Sequence, residues 1–211
     1  MAMLSKRTAS FLSRFLRLQL GLFAFAFSIA LMLEAQIGLD PWSSLHDGIT
    51  KHVELTFGRI SQITGLLLIL ASALTLRVRP GLGTVFNMLV IGPWFDLVHV
   101  QAWFPRWAGG YAGGLQFLAG MLFMGFATAL YIGADFGAGP RDGFVLGLAA
   151  RLSRSVRVTR IGVELTVLGA GWLLGGELGL GTLIFAVGMG PIMQASLRWM
   201  RVEVPVRNSS D

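Results

Sequence analysis

Four residues with suitable chemistry for binding a solute lie at the starts of two predicted short helices: Asp40, Trp42, Arg141 and Asp142. In both helices a proline stands at the first helical position, where its missing N–H group costs no hydrogen bond. A helix N-terminus presents free N–H groups and the positive end of a dipole, which favours an anionic group on a solute. The alternative is that Asp40 caps a helix lying on the membrane surface and that Asp142 complements the helix dipole there.

Two further candidates stand within or near apolar segments. Glu164 has apolar residues on both sides, and an ionisable group inside a membrane segment indicates function, here proton coupling. The alternative is an interfacial ion pair, because Arg160 precedes Glu164 on the same helix face. Asn87, like Gln62 and Gln194, is typical of hydrogen bonds between helices. Asn87 is also a candidate for lining a binding site.

Other kinds of site lack a pattern in this sequence. Cysteine is absent, which excludes disulfides and thiolate metal sites. His46, His52 and His99 have no recognisable metal-ligand spacing, and no nucleophile elbow or pair of catalytic carboxylates stands out. The turn GLGT lacks the flanking strand and the lysine of a nucleotide-binding loop. The sequence therefore predicts no metal, no cofactor and no enzymatic activity.

The elements that position these candidates are duplicated in tandem. The segment GLDPWSSLHDG at 38–48 returns as GAGPRDGFVLG at 137–147, and the turn GLGT at 81–84 returns at 179–182. We call these the GxxP segments and the GLGT turns. The chain is a unit of about a hundred residues used twice. Repeat 1 covers 1–108, repeat 2 covers 109–206, and 207–211 form a polar tail that we expect to be disordered.

Composition places both repeats in a membrane. Hydrophobic residues make up 54% of the chain and charged residues 13%, and the mean hydropathy is +0.68. A chain with so few polar residues cannot cover a soluble domain. The net charge of +6 comes from basic residues that flank apolar segments, so it indicates membrane topology and not a nucleic-acid partner.

The fold class predicted is an all-α polytopic membrane protein with six transmembrane helices. The spans are expected over 18–33, 60–76, 83–94, 108–134, 161–175 and 183–197. In each repeat a short amphipathic helix follows the first span. Leu45, Ile49 and Val53 form the expected apolar face of the first of these short helices.

Three spans per repeat is an odd number, so the two repeats should enter the membrane in opposite orientations, as a 3+3 inverted-topology tandem repeat. With both termini in the cytoplasm, only Lys51, Arg59 and Arg106 of the 17 basic residues fall on the outer face. Inverted repeats are typical of secondary transporters, although channels and scaffold-like membrane proteins share this symmetry. Glycine pairs such as Gly171 and Gly175 predict close helix packing, within one chain or across a homodimer.

The motifs GLDPW, LHDGIT, RVRPGLGTVFN, GAGPRDG and VELTVLGAGWLLGG together resemble the YczE/YitT-like family of small bacterial integral membrane proteins, and its YczE branch in particular. The resemblance covers nearly the whole chain. It implies a multi-helix protein of the bacterial inner membrane, in a family for which transport is suspected. The family commonly has Gly-Pro-Trp-Asp in the first GxxP segment. Here Ser43 takes the place of that Asp, so a carboxylate role does not carry over to it, whereas Asp142 matches.

These observations predict a transporter-like protein of the bacterial cytoplasmic membrane that moves a small solute by alternating access. The solute would be anionic if the helix N-termini bind it. The site lies where the two repeats face each other, and its candidate residues are Asp40, Trp42, Asn87, Arg141, Asp142 and Glu164. The expected partners are the lipid bilayer, the solute and, through glycine-rich helix faces, a second copy. The alternative is a membrane scaffold or partner protein that transports nothing and has a dry core.

Overall fold

The computed structural model describes residues 2–103 and 110–202, and these residues form eight α-helices and no strand. The helices are α1 (Ala2–Glu34), α2 (Pro41–Thr50), α3 (Phe57–Thr75), α4 (Leu82–Val100), α5 (Gly110–Ile132), α6 (Pro140–Leu152), α7 (Val156–Leu173) and α8 (Leu180–Trp199). The predicted boundary between the repeats, at 108, and the predicted tail, at 207–211, lie outside the described residues.

Five of the described helices, α1, α3, α4, α5 and α8, are long and apolar enough to cross a membrane. Their outward-facing apolar side chains, such as Leu74 and Val187, are exposed in the protein, which is how lipid-facing surfaces look. Helix α7 has 18 residues but carries Arg157, Arg160 and Glu164, which distinguish it from the other five. Several helices also extend beyond the predicted spans, because α1 begins well before residue 18 and α4 continues past residue 94.

Helices α1 and α5 form the centre of the fold. Leu22, Ala26 and Ile29 on α1 and Phe117 on α5 are fully buried in one apolar core. Small residues allow the two helices to approach closely. A Cβ atom added to Gly120 would lie only 2.6 Å from the side chain of the opposing methionine on α1.

Two hydrogen bonds show that α1 and α5 are antiparallel. In the N-terminal half of α1, Arg14 Nε donates to the carbonyl of Ala134, just after α5 ends, at 3.0 Å. Near the start of α5, Gln116 Nε2 donates to the carbonyl of Leu31, near the end of α1, at 3.1 Å. The loop that follows α1 and the loop that follows α5 therefore lie at opposite ends of the protein.

The other helices pack in an exchanged arrangement around this pair. Helix α4 packs against α1 and α8 against α5, while α2 packs against α7 and α6 against α3. Each short helix thus contacts a long helix of the other half as well as one of its own. The two halves differ in one helix pair. Helix α3 packs along α4, whereas the equivalent helices α7 and α8 make little contact.

We call the contact between the first GxxP segment and the second GLGT turn the Gly38 junction. Gly181 N donates to the carbonyl of Ile37 at 2.7 Å. Leu39 N donates to Thr182 Oγ1 at 3.2 Å. Gly38 has φ of 121°, a conformation that only glycine adopts readily.

We call the contact between the second GxxP segment and the first GLGT turn the Gly137 junction. Gly83 N donates to the carbonyl of Phe136 at 2.7 Å, which is the counterpart of the bond at the Gly38 junction. Thr84 Oγ1 donates to the carbonyl of Ala138 at 2.6 Å. Gly137 has φ of 107°. The two halves are therefore joined by the same kind of backbone contact at opposite ends of the protein.

The short helix α2 confirms one sequence prediction and contradicts another. Asp40 caps it, since its Oδ1 atom accepts from the backbone N atoms of Trp42 and Ser43, each at 3.2 Å. The predicted apolar face of Leu45, Ile49 and Val53 is wrong in its last member, because Val53 lies beyond the end of the helix and is exposed. The buried residues are Trp42, Ser43, Ser44, His46 and Gly48. In a bilayer the small and polar residues of a helix face the protein and the apolar ones can face lipid, which reverses the rule for soluble proteins.

Candidate functional site

A cavity of about 160 Å³ lies between the two halves, and all eight described helices contribute to its lining. Every residue proposed from the sequence as a site residue lines this cavity: Asp40, Trp42, Asn87, Arg141, Asp142 and Glu164. The N-termini of α2 and α6 both open onto it, one from each half. The structure therefore brings the candidates together in one place.

Asp40 presents one carboxylate oxygen to the α2 backbone and keeps the other free. Its side chain is only 5% exposed. Oδ1 serves the helix cap, whereas Oδ2 is buried and has no hydrogen-bond partner. A buried carboxylate oxygen without a partner is costly unless a bound molecule or water supplies the missing donor.

Arg141 is positioned by its surroundings without using its hydrogen-bond donors. Its guanidinium lies over the ring of Trp42, 5.0 Å from the ring centroid, and Nη1 is 3.8 Å from Asp40 Oδ1. The latter distance is too long for a hydrogen bond. Among the described residues Arg141 has no other polar contact, so its N–H groups are free to bind an acceptor on a solute.

Glu164 lies on α7 and reaches across to the other half. Its Oε1 atom accepts a hydrogen bond from Trp42 Nε1 at 3.4 Å. The ion pair between Glu164 and Arg160 considered from the sequence does not form. Arg160 instead pairs with Asp142 on α6.

Asp142 is fully engaged by two neighbours. Besides the ion pair with Arg160, its Oδ2 atom accepts from Tyr131 Oη at 3.2 Å. Both partners hold the carboxylate in place, so Asp142 is less available to a solute than Asp40. Asn87 lies close to the start of α6, where a Cβ atom on Gly139 would be 3.3 Å from its Nδ2 atom.

His46 is a lining residue that the sequence did not indicate. It is 1% exposed and contributes to the cavity wall. Neither ring nitrogen has a hydrogen-bond partner, and the ring packs edge-on against Phe57 with centroids 5.3 Å apart. Residues 42 and 46 lie one turn apart on α2. The site candidate Trp42 was therefore the sequence signal that could have placed His46 in the same site.

The charges around the cavity do not cancel. Three carboxylates, on Asp40, Asp142 and Glu164, face two guanidiniums, on Arg141 and Arg160. Asp142 and Arg160 compensate each other as an ion pair. The remaining two acids share one arginine, so the fully ionised site has one negative charge in excess.

The other two histidines lie away from this cavity. His52 contacts the carbonyl of Leu174 at 3.1 Å, and His99 Nδ1 lies 2.9 Å from a carboxylate oxygen of Glu34. Within the described ranges, no three His, Cys, Asp or Glu residues are grouped as a metal ion would require.

Comparison with known proteins identifies the family. The model of a family described as "Family of unknown function (DUF6198)" matches residues 12–198. The chain belongs to this family. The match covers both halves and every residue of the cavity described above.

Two relatives agree with the resemblance noted from the sequence. The chain is 33% identical over 178 residues to "Uncharacterized membrane protein YczE" of Bacillus subtilis, covering 84% of this chain and 82% of the relative. It is 35% identical over 169 residues to an "Uncharacterized protein" of Haemophilus influenzae, covering 78% of this chain and 74% of the relative. No solved structure matches. The membrane-protein relative and the apolar helices make this chain a multi-pass membrane protein whose helices contact lipid.

Proposed function

We propose that this protein is a transporter-like carrier that moves a small solute across the bacterial cytoplasmic membrane by alternating access. The observation that carries the proposal is the central cavity. Both halves line it, and the charged N-termini of α2 and α6 meet there. A site between two related halves is where transporters with inverted repeats bind their solutes.

The proposal includes six spans in two inverted halves, with α7 as the sixth. Its 18 residues measure about 27 Å as a helix, close to the hydrocarbon thickness of a bilayer. The side chains of Arg160 and Glu164 contact α6 and α2, so they need not face lipid. The antiparallel α1 and α5 and the exchanged helix contacts support the inverted arrangement.

Further parts of the proposal rest on the sequence pattern. Both termini are placed in the cytoplasm, which leaves few basic residues outside. No cofactor and no enzymatic activity are included. A homodimer through glycine-rich faces stays a prediction. Gly114, Gly162 and Gly169 have no atom of the described chain within 4 Å of an added Cβ, so these faces have room for a partner helix or lipid.

Cysteine accessibility tests alternating access without knowledge of the solute. The chain has no native cysteine, so Thr64→Cys would be a single label inside the cavity. We expect a membrane-impermeant thiol reagent to reach it both from outside intact cells and from the cytoplasmic side of inverted vesicles. Ala26→Cys is the matched control, because Ala26 is fully buried in the core and should react from neither side. If the Thr64→Cys variant reacts from neither side or from one side only, alternating access is wrong. The scaffold function is then preferred over transport.

A further inference from the structure

We propose that the solute is a small zwitterion that carries a carboxylate and an ammonium group close together, as an α-amino acid does. This inference rests on the proposed transport function and specifies its substrate class. It follows from the unused hydrogen-bonding groups of the cavity, from their separation, from the cavity size and from the charge excess.

Asp40, a residue of the cavity wall, has an unused acceptor. Asp40 Oδ2 is buried without a partner, and the residue lines the cavity. Its other oxygen is fixed by the cap of α2, so the carboxylate cannot rotate to satisfy Oδ2 without breaking the cap. An ammonium group is a compact donor of three hydrogen bonds and carries the charge that a carboxylate attracts.

The cavity also offers unused donors. The Arg141 guanidinium is oriented by the Trp42 ring and by the nearby Asp40 carboxylate, yet it donates no hydrogen bond within the described chain. Guanidinium groups bind carboxylates through paired N–H donors. The N-terminus of α6, which begins at Pro140, adds a favourable dipole for the same anionic group.

The two groups are adjacent, and this selects the geometry of the solute. Arg141 Nη1 lies 3.8 Å from Asp40 Oδ1. A solute that binds both must therefore carry its opposite charges on neighbouring atoms. An α-amino acid meets this condition because one carbon bears both groups, whereas a zwitterion with a long spacer does not.

The size of the cavity limits the rest of the molecule. Its volume is about 160 Å³. A protein cavity of roughly 150 Å³ holds benzene, which has six non-hydrogen atoms. Ile91, Met124 and Val145 supply an apolar part of the wall for a short side chain. Glycine, alanine and serine are in this range.

The charge excess disfavours the simpler alternatives. An anion would add a negative charge to a site that already has one more carboxylate than guanidinium. A plain cation would compensate that charge but leave the donors of Arg141 unused. A zwitterion pairs with both Asp40 and Arg141 and adds no net charge.

Ligand-dependent thermal unfolding of the purified full chain tests the inference. We expect glycine, L-alanine or L-serine to raise the melting temperature by a few degrees at concentrations well above the dissociation constant. Propionate and ethylamine, which each carry one of the two charges of alanine, should give no comparable rise at equal concentration. Asp40→Asn keeps a good helix cap but removes the charge, and Arg141→Gln removes the donors.

Each variant should weaken the apparent affinity about tenfold or more, the loss expected for one charged hydrogen bond. Arg59→Gln is the control, because Arg59 is exposed on α3 and does not line the cavity. A rise with propionate or ethylamine alone, no rise with any of the three amino acids, or full affinity in both variants would overturn the zwitterion. If Thr64→Cys still reacts from both faces in that case, alternating access stands and only the substrate class is wrong.

Discussion

The Gly38 junction and the Gly137 junction contain equivalent backbone hydrogen bonds. The Gly38 junction adds contacts made by charged side chains. Glu177 Oε1 accepts from Gly38 N at 2.9 Å, and Asp47 Oδ2 accepts from Glu177 N at 2.9 Å. Lys51 Nζ lies 3.0 Å from the same Asp47 oxygen. We call this set the Glu177 contact. It ties the end of α2 to the loop before α8.

The Gly137 junction has no such contact among the described residues. Arg79 occupies the position, two residues before the GLGT turn, that Glu177 has in the other half. A second cavity of about 210 Å³ lies here, lined by Arg79 and Gly137 among others. Two ends with the same backbone contact therefore differ in side-chain support. We expect the Gly137 end to open at a lower free-energy cost, and the comparison can be tested by matched substitutions at the two ends.

Alanine at the two junction glycines should give the largest difference. Both positions have positive φ, so Gly38→Ala and Gly137→Ala should each cost about 1–2 kcal/mol in backbone strain. At Gly38 the new Cβ would lie 2.7 Å from Gly179 N, whereas at Gly137 the nearest atom is 3.4 Å away. Overlap should add roughly 1–3 kcal/mol at Gly38 alone. Thermal unfolding in detergent measures both, and equal losses would mean that the two junctions are equally tight.

Removal of the threonine hydroxyls should have a smaller effect. Thr182→Val leaves the buried N–H of Leu39 without its acceptor, which costs about 1–3 kcal/mol. Thr84→Val removes the bond to the carbonyl of Ala138, but that carbonyl belongs to a residue lining the second cavity, where water can replace the hydroxyl. We therefore expect a loss of about 1 kcal/mol or less there. The same unfolding assay applies, and a larger loss for Thr84→Val would contradict the comparison.

The smallest predicted effect is a pH dependence that belongs to the Gly38 junction only. Burial raises the pKa of Glu177, and the nearby Asp47 carboxylate acts in the same direction, while the bond from Gly38 and the charge of Lys51 oppose the shift. Because the folded pKa lies above the unfolded one, the folded state binds the proton more tightly. The contribution of this group to stability is present at low pH and is lost as pH rises from the unfolded pKa through the folded pKa.

Glu177→Gln should remove this loss, so its melting temperature should depend less on pH than that of the unmodified protein across the acidic range. Glu54→Gln is the control, since Glu54 is exposed. An unchanged pH profile in the Glu177→Gln variant would show that the Glu177 contact does not couple the junction to protons.

The helices and the cap could be predicted from the sequence because they depend on local patterns. The duplicated GxxP segments located α2 and α6, and Asp40 before a proline was sufficient to predict the cap. The grouping of Asn87, Arg141 and Glu164 around one cavity followed from the expectation that the two halves face each other.

The side-chain partners could not be predicted, because they depend on how the halves meet. Glu164 pairs with Trp42 from the other half and not with Arg160 on its own helix. His46 was not among the predicted site residues, since nothing in a single sequence shows that α2 turns its polar side toward the cavity. The Glu177 contact joins Glu177 to Gly38 across the fold, so no local spacing could reveal it.

The opposite orientation of the two halves is the central claim, and single-cysteine labelling tests it most directly. Glu54 follows α2 in one half, and Ser153 ends α6 in the other half; both are exposed. In intact cells, a membrane-impermeant thiol reagent should label the Glu54→Cys variant and leave the Ser153→Cys variant unlabelled until the membrane is opened. Labelling of both, or of neither, would place the two short helices on the same face and contradict the inverted arrangement on which the carrier mechanism depends.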